Sequence, residues 1–165
     1  MLLLPVVLAA ALVPSVRDGY DAFWKGQPRV ARTGVAGGWV VLGGARMRLV
    51  ALESPTDLRG SSGRQVSLPE QVRAWRATVE FDAPQVASVQ GCTIMLEAGG
   101  ARYSADPVEL IDMSLPFPDC APPENSTAPA YQVVAFFVLP RGASPGAVRI
   151  TIAAQLPGYA RLLPP

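Results

Sequence analysis

Short apolar runs, each bounded by glycine or proline, recur along most of this chain. The clearest are Ala45–Ser54, Val72–Ala83 and Tyr131–Pro140. The first two alternate between hydrophobic and polar residues, which is typical of β-strands because successive side chains point to opposite faces. The 15 glycines and 17 prolines among 165 residues also disfavour long helices. The pattern therefore predicts an all-β protein built from short strands and turns.

About seven strands are predicted between residues 39 and 156. They are Trp39–Gly44, Ala45–Ser54, Val72–Ala83, Cys92–Glu97, a return strand opening at Tyr103, Tyr131–Pro140 and Ala147–Leu156. We expect an immunoglobulin-like antiparallel β-sandwich, with a closed barrel as the competing architecture. The long loops Pro55–Pro69 and Ala105–Ala130 favour the sandwich. Tyr131–Pro140 is apolar on both faces after Gln132, which predicts a central strand.

The N-terminal segment is apolar from Met1 to Val16 apart from one serine, and the first charge is Arg17. An apolar helix of this length spans about 24 Å, less than the roughly 30 Å of a hydrocarbon core, which favours a signal peptide. However, Tyr20, Phe23 and Trp24 follow where the interfacial aromatic residues of a membrane helix lie. We therefore predict an uncleaved anchor with these three residues at the membrane interface. A cleaved signal peptide and a buried helix of a soluble domain are the alternatives.

Three parts are expected along the chain. Residues 1–24 form the membrane anchor or signal segment, residues 25–38 a linker or at most an edge strand, and residues 39–165 the sandwich domain. An anchor makes the protein a single-pass membrane protein whose C-terminal domain is extracytoplasmic, and a cleaved signal makes it secreted.

One lysine against 13 arginines, with abundant alanine, indicates a high-GC bacterial genome.

The two cysteines, Cys92 and Cys120, are separated by 27 residues. A metal pair and a reactive thiol are possible for such residues, but two cysteines without histidine make a poor zinc site. In an exported protein an even pair predicts a disulfide, which stabilises by about 3–4 kcal/mol through loop closure. We expect a Cα separation of roughly 4.4–6.8 Å, with Cys92 on the face of its strand that carries Ile94 and Leu96.

The order of the segments between Ala45 and Ile152 resembles a known family. The segments are "ARMRLVALES", "RAWRATVEFDA", "TIMLEAGGARYSADP" and "YQVVAFFVLPRGASPGAVRITI". They resemble the telokin-like, immunoglobulin-like extracytoplasmic domains of uncharacterised function in Gram-positive and actinobacterial envelope proteins. In that family a strand ends in a glycine turn before a tyrosine, as in "EAGGARY". The resemblance implies an immunoglobulin-like fold with no catalytic residues, although this chain lacks the lipobox cysteine of many members.

The residue types argue against most enzyme classes. Without histidine, the chain has no imidazole base or metal ligand. Asp106, Glu109 and Asp112 cluster in one loop, where an acid–base pair, a Ca²⁺ site and surface charge are the alternatives; surface charge is favoured. We predict no catalytic residue, no cofactor and no metal. A net charge of +1 gives no basic face, so no nucleic-acid partner is expected.

Aromatic residues on the predicted strands, namely Trp75, Phe81, Phe136 and Phe137, are expected in the core, although they could stack on a sugar or peptide. The adjacent Phe136 and Phe137 face opposite ways, so a loop, the C-terminal tail or a partner must cover one of them. These features predict a non-enzymatic, membrane-anchored interaction domain, an accessory subunit with a membrane or envelope protein as partner. The alternative is a secreted module that binds a small ligand or glycan through the aromatic residues and the loop Ala105–Ala130.

Overall fold

The computed structural model describes residues 13, 16–60, 63–105, 120–123 and 128–165. Within these ranges, nine strands form two sheets that pack face to face as in a β-sandwich. The strands are β1 (Val30–Thr33), β2 (Val40–Leu42), β3 (Ala45–Glu53), β4 (Val72–Asp82), β5 (Cys92–Ala98), β6 (Ala101–Ser104), β7 (Ala130–Pro140), β8 (Pro145–Ile152) and β9 (Gly158–Leu162). The predicted all-β class is confirmed.

One sheet has the order β1-β9-β8-β5-β6 and the other the order β2-β3-β4-β7. Every neighbouring pair is antiparallel except β1 and β9, which are parallel. The seven predicted strands correspond to β2 through β8. The count was too low because it left out β1, in the segment predicted as a linker or at most an edge strand, and β9, in the segment predicted as a C-terminal tail.

The core lies between the two sheets and follows the predicted alternation. Met47 lies opposite Phe81 and Leu49 opposite Val79 across β3 and β4, and all four side chains are buried. Other fully buried residues reach the same core from the opposite sheet: Leu96, Val148, Ile150, Ile152, Ala160 and Leu162. Burying such side chains provides the main force that holds the two sheets together.

A β-bulge in β3 interrupts the predicted alternation of inward and outward side chains, which would place Met47, Leu49 and Ala51 on one face. The register shifts between Leu49 and Ala51, so Ala51 lies opposite Thr78 and Leu52 lies opposite the buried Ala77. Cross-strand partners share a face of the sheet. Leu52 therefore takes the inward position that simple alternation predicted for Ala51, since the extra residue of a bulge reverses the alternation beyond it.

Strand β7 is an edge strand of the described sheet, so the prediction of a central strand was wrong. It pairs with β4 along eleven residues. Its inner face packs Phe137 into the core, whereas Val138 on the outer face is also buried. The loop between β3 and β4 lies over this outer face, where buried Leu58 and Ala74 line a common pocket. A loop, not a neighbouring strand, therefore explains why both faces of β7 are apolar.

The segment 25–38 is bound to the sandwich through its backbone. Beyond the pairing of β1 with β9, the amides of Arg29 and Val30 both donate to the carbonyl of Pro157, at 2.8 and 3.0 Å. The amide of Gly37 donates to the carbonyl of Leu163 at 3.2 Å. The segment therefore contains an edge strand, and its described contacts hold it against the domain.

The predicted apolar helix lies mostly outside the described residues. Val13 and residues 16–20 are helical, and a π-helical turn follows at Asp21–Lys25. Among the described residues, no helix is both long and apolar enough to cross a membrane.

The carboxylates Asp106, Glu109 and Asp112, which the sequence places in one loop, lie outside the described residues.

Candidate functional site

The three residues predicted to lie at a membrane interface form an exposed cluster. Tyr20, Phe23 and Trp24 are 56%, 58% and 45% exposed. Their spacing of three and four residues places them on one side of the helical segment. The ring centroids of Tyr20 and Trp24 lie 5.8 Å apart, and those of Phe23 and Trp24 lie 6.1 Å apart. We refer to these three residues as the aromatic cluster.

Arg29 links the aromatic cluster to the sandwich. Its guanidinium lies 3.8 Å from the ring centroid of Trp24 and 5.6 Å from that of Phe23. Both distances are typical of cation–π contacts. Because the backbone amide of Arg29 also donates to Pro157, one residue contacts both the aromatic cluster and the turn that precedes β9.

The surroundings of the aromatic cluster are largely solvent-exposed. Val13 and Val16, on the N-terminal side, are 61% and 67% exposed. Lys25 forms an ion pair with Asp21 at 2.8 Å; the Lys25 side chain is largely exposed and that of Asp21 is partly exposed. Exposed apolar and aromatic residues grouped in this way are typical of a surface that contacts a membrane or a protein.

The disulfide between Cys92 and Cys120 is confirmed, with a Cα separation of 6.0 Å. The predicted face is confirmed as well, because Ile94 and Leu96 are buried on the side of β5 that faces the core. The carbonyl of the buried Cys120 accepts a hydrogen bond of 2.6 Å from the hydroxyl of Tyr131 in β7. Cys120 is therefore attached to both sheets, covalently to β5 and by a hydrogen bond to β7.

On the outer face of the four-stranded sheet, three arginines of β3 and β4 each pair with a separate carboxylate. Arg46 pairs with Asp82 at 2.6 Å and Arg48 pairs with Glu80 at 2.6 Å. The third pair joins Arg76 and Glu53. The members of each pair are also cross-strand partners. Trp39 lies under the first two guanidinium groups, with its ring centroid 4.9 and 4.8 Å from them. This face is therefore balanced in charge.

Arg149, on the outer face of the five-stranded sheet, is 1% exposed. Its guanidinium donates to the carbonyl of Pro28 and lies 3.8 Å from the ring centroid of Tyr159, while its ion-pair contact with Glu97 is long, at 3.9 Å. Its Nε atom is buried and has no hydrogen-bond partner among the described residues. Burial lowers the pKa of the Arg149 guanidinium, and the positive charge of Arg102 lowers that pKa further.

Described residues line at least two surface pockets completely. One, of about 290 Å³, lies beside the turn between β5 and β6 and includes Arg102 and Arg161. The other, of about 250 Å³, lies beneath the loop between β3 and β4. Neither contains an aromatic side chain. Phe81 and Phe137 are buried in the core, so those two rings are not available to stack on a ligand.

The described residues hold no group of three or more histidine, cysteine, aspartate or glutamate side chains that could bind a metal ion.

Among the sequence-predicted site residues, the structure joins the two cysteines to each other and the three aromatic residues to one another. Arg149 was not predicted. Its one sequence indication is a lone arginine inside the apolar strand "AVRITI".

Comparison of the chain with protein-family models, with curated proteins and with solved structures finds no match. The resemblance to telokin-like domains therefore stays a prediction.

Proposed function

We propose that this chain is a non-enzymatic, membrane-anchored extracytoplasmic domain that acts by contact with a membrane or envelope protein. In this proposal an immunoglobulin-like sandwich follows a single N-terminal anchor. The observation that carries it is the exposed aromatic cluster of Tyr20, Phe23 and Trp24, which directly follows the apolar run Met1–Val16.

The chemistry of the aromatic cluster suits the boundary between lipid and water. Tyrosine and tryptophan combine an apolar ring with a polar group, and both are enriched where membrane helices leave the hydrocarbon region. Arg17 precedes the cluster and Arg29 contacts Trp24. Cations at this depth interact favourably with lipid phosphates, which supports the same placement.

The disulfide supports the extracytoplasmic location. Bonds of this kind form and persist in oxidising compartments and are rare in the cytosol. The bond between Cys92 and Cys120 is partly buried and fixes the chain just before β7. A domain outside the cytoplasm gains stability from such a cross-link without any further cofactor.

The outer face of the four-stranded sheet supports a role in binding a protein partner. Its charged pairs leave little net charge, and Val134 and Val50 are 40% and 37% exposed beside them. Half-buried Phe136 lies on the same face of β7 as Val134. A mixed surface of apolar side chains and paired charges suits an accessory subunit that binds a protein partner.

Depth-dependent quenching of tryptophan fluorescence tests the membrane placement. The full chain is reconstituted in vesicles whose lipids carry bromine on the acyl chain near the headgroup. We expect quenching in the wild type that is largely lost in Trp24→Phe, because Trp24 supplies the interfacial signal. The matched control Trp39→Phe removes a tryptophan of the sandwich and should keep the quenching.

Equal quenching in Trp24→Phe and in the wild type would place another tryptophan at the membrane. The absence of quenching in the wild type would contradict the proposed interface. Circular dichroism of both variants shows whether the sandwich is intact.

A further inference from the structure

The outer face of the five-stranded sheet carries an excess of positive charge. Arg149 and Arg161 are direct cross-strand partners on β8 and β9, and Arg102 is the cross-strand partner of Glu97 on β6 and β5. Three arginines thus share one carboxylate. Like charges directly opposite each other destabilise a sheet. On the other sheet, by contrast, three arginines have three carboxylates.

The one carboxylate, Glu97, pairs with two arginines other than its cross-strand partner Arg102. It accepts a hydrogen bond of 2.7 Å from the Nε of Arg161 and lies 3.9 Å from the guanidinium of Arg149. No ion pair or hydrogen bond to the exposed side chain of Arg102 is formed by any described residue. The guanidinium of Arg102 is therefore available to a ligand.

Arg102 and Arg161 line the same pocket of about 290 Å³. The carboxylate of Glu97 lines this pocket as well, and the other walls include the turn Gly99–Gly100 and Ser144, which leads into β8. Both glycines have positive φ, 57° and 82°, and a Cβ atom at either position would have no atom within 4 Å apart from its chain neighbours. The turn therefore leaves this end of the pocket open. Its walls hold two guanidinium groups, one carboxylate and the serine, and the carboxylate of Glu97 is paired with Arg161.

We propose that this pocket binds an oxyanion, a phosphate or carboxylate group, through Arg102 and Arg161. A guanidinium presents a planar fork of donors that matches the oxygens of such a group, often through two parallel hydrogen bonds. A bound anion also offsets the uncompensated charge of the three arginines. The volume suits the charged end of a small molecule, because it lies at the lower limit of typical ligand pockets.

Arg149 has a supporting role in this site. It does not line the pocket, and its guanidinium is fixed by Pro28 and Tyr159. Its charge, buried and adjacent, adds to the positive potential that a bound anion meets. This inference does not depend on the membrane placement proposed above.

Titration with inorganic phosphate tests the site. Binding to the full chain is measured by calorimetry at constant ionic strength, maintained with sodium chloride. We expect Arg102→Gln to bind phosphate at least about tenfold more weakly, since a hydrogen bond between charged groups is lost. The matched control Arg64→Gln removes another exposed arginine, far along the chain in the loop between β3 and β4, and should bind as the wild type does.

Vesicle binding identifies the source of the oxyanion. Flotation is compared for the wild type and Arg102→Gln on phosphatidylcholine vesicles with and without phosphatidylglycerol. Weaker phosphate binding with unchanged flotation would assign the site to a free small oxyanion, and a parallel loss of flotation on the anionic vesicles would assign it to a lipid headgroup. Equal phosphate affinity in the wild type, Arg102→Gln and Arg64→Gln, or no binding to the wild type, would overturn the proposal.

Discussion

Cys120 is the residue at which several stabilising interactions meet. It is buried and forms the disulfide with Cys92, and its carbonyl accepts a hydrogen bond from the hydroxyl group of Tyr131. Tyr131 in turn stacks on Phe81 with a centroid separation of 5.6 Å. Cys120, one residue of a proline-rich segment, is therefore held against both sheets, and the cross-link also limits the freedom of the unfolded chain.

Replacing either cysteine with serine is expected to lower the free energy of unfolding by about 2–5 kcal/mol. The measurement is urea denaturation in non-reducing buffer. Cys92→Ser, Cys120→Ser and the double variant should lose similar amounts, because each removes the same bond. Unchanged stability in all three variants would show that the bond contributes nothing to folding.

The pairing of the cysteines and the face occupied by Cys92 were predictable, because both follow from the count of cysteines and the alternation of one strand. The hydrogen bond from Tyr131 was not, since it depends on how a loop passes over the opposite sheet. The burial of Arg149 could not be predicted from the local sequence either. Its cover comes from Pro28 and Tyr159, one of them 121 positions away along the chain.

At the scale of elements, the strands missed from the sequence are those whose stability comes from long-range pairing. All four residues of β1 are exposed, so the strand has no alternation of buried and exposed side chains. It forms because β9, from the other end of the chain, lies parallel to it. Likewise, β7 was predicted as central because its outer face is apolar, whereas the loop between β3 and β4 covers part of that face.

Arg149 is expected to hold the segment before β1 against the sandwich. Its hydrogen bond to Pro28 lies next to the two amides that donate to Pro157. In Arg149→Ala we expect faster trypsin cleavage after Lys25 and Arg29, several-fold or more, because local opening of the segment becomes easier. Mass spectrometry of timed digests provides the measurement.

The control for that digest is Arg73→Ala, which removes an exposed arginine of the four-stranded sheet. Its cleavage after Lys25 should proceed at the wild-type rate. If Arg149→Ala is cut no faster than Arg73→Ala, the segment is held by its backbone bonds and β1 alone.

At the scale of the whole molecule, the class of fold was predictable because short alternating runs and frequent turns leave few alternatives to two packed sheets. The immunoglobulin-like topology remains a prediction, and so does the anchor. In the proposed arrangement the aromatic cluster connects the anchor to the sandwich. Arg29 contacts Trp24, and its backbone amide donates a hydrogen bond to the turn before β9. In the proposed arrangement the sandwich therefore sits close to the membrane surface.

The most direct test of the account is the location and mass of the protein in cells that produce the full chain. Membranes are washed with alkaline carbonate, and the molecular mass of the retained protein is measured by mass spectrometry. Intact protoplasts are treated with protease to show which side of the membrane the sandwich faces. The account predicts full-length protein in the washed membranes, with the sandwich accessible from outside. A shortened protein released into the medium, or a full-length protein in the cytosol with reduced cysteines, would contradict it.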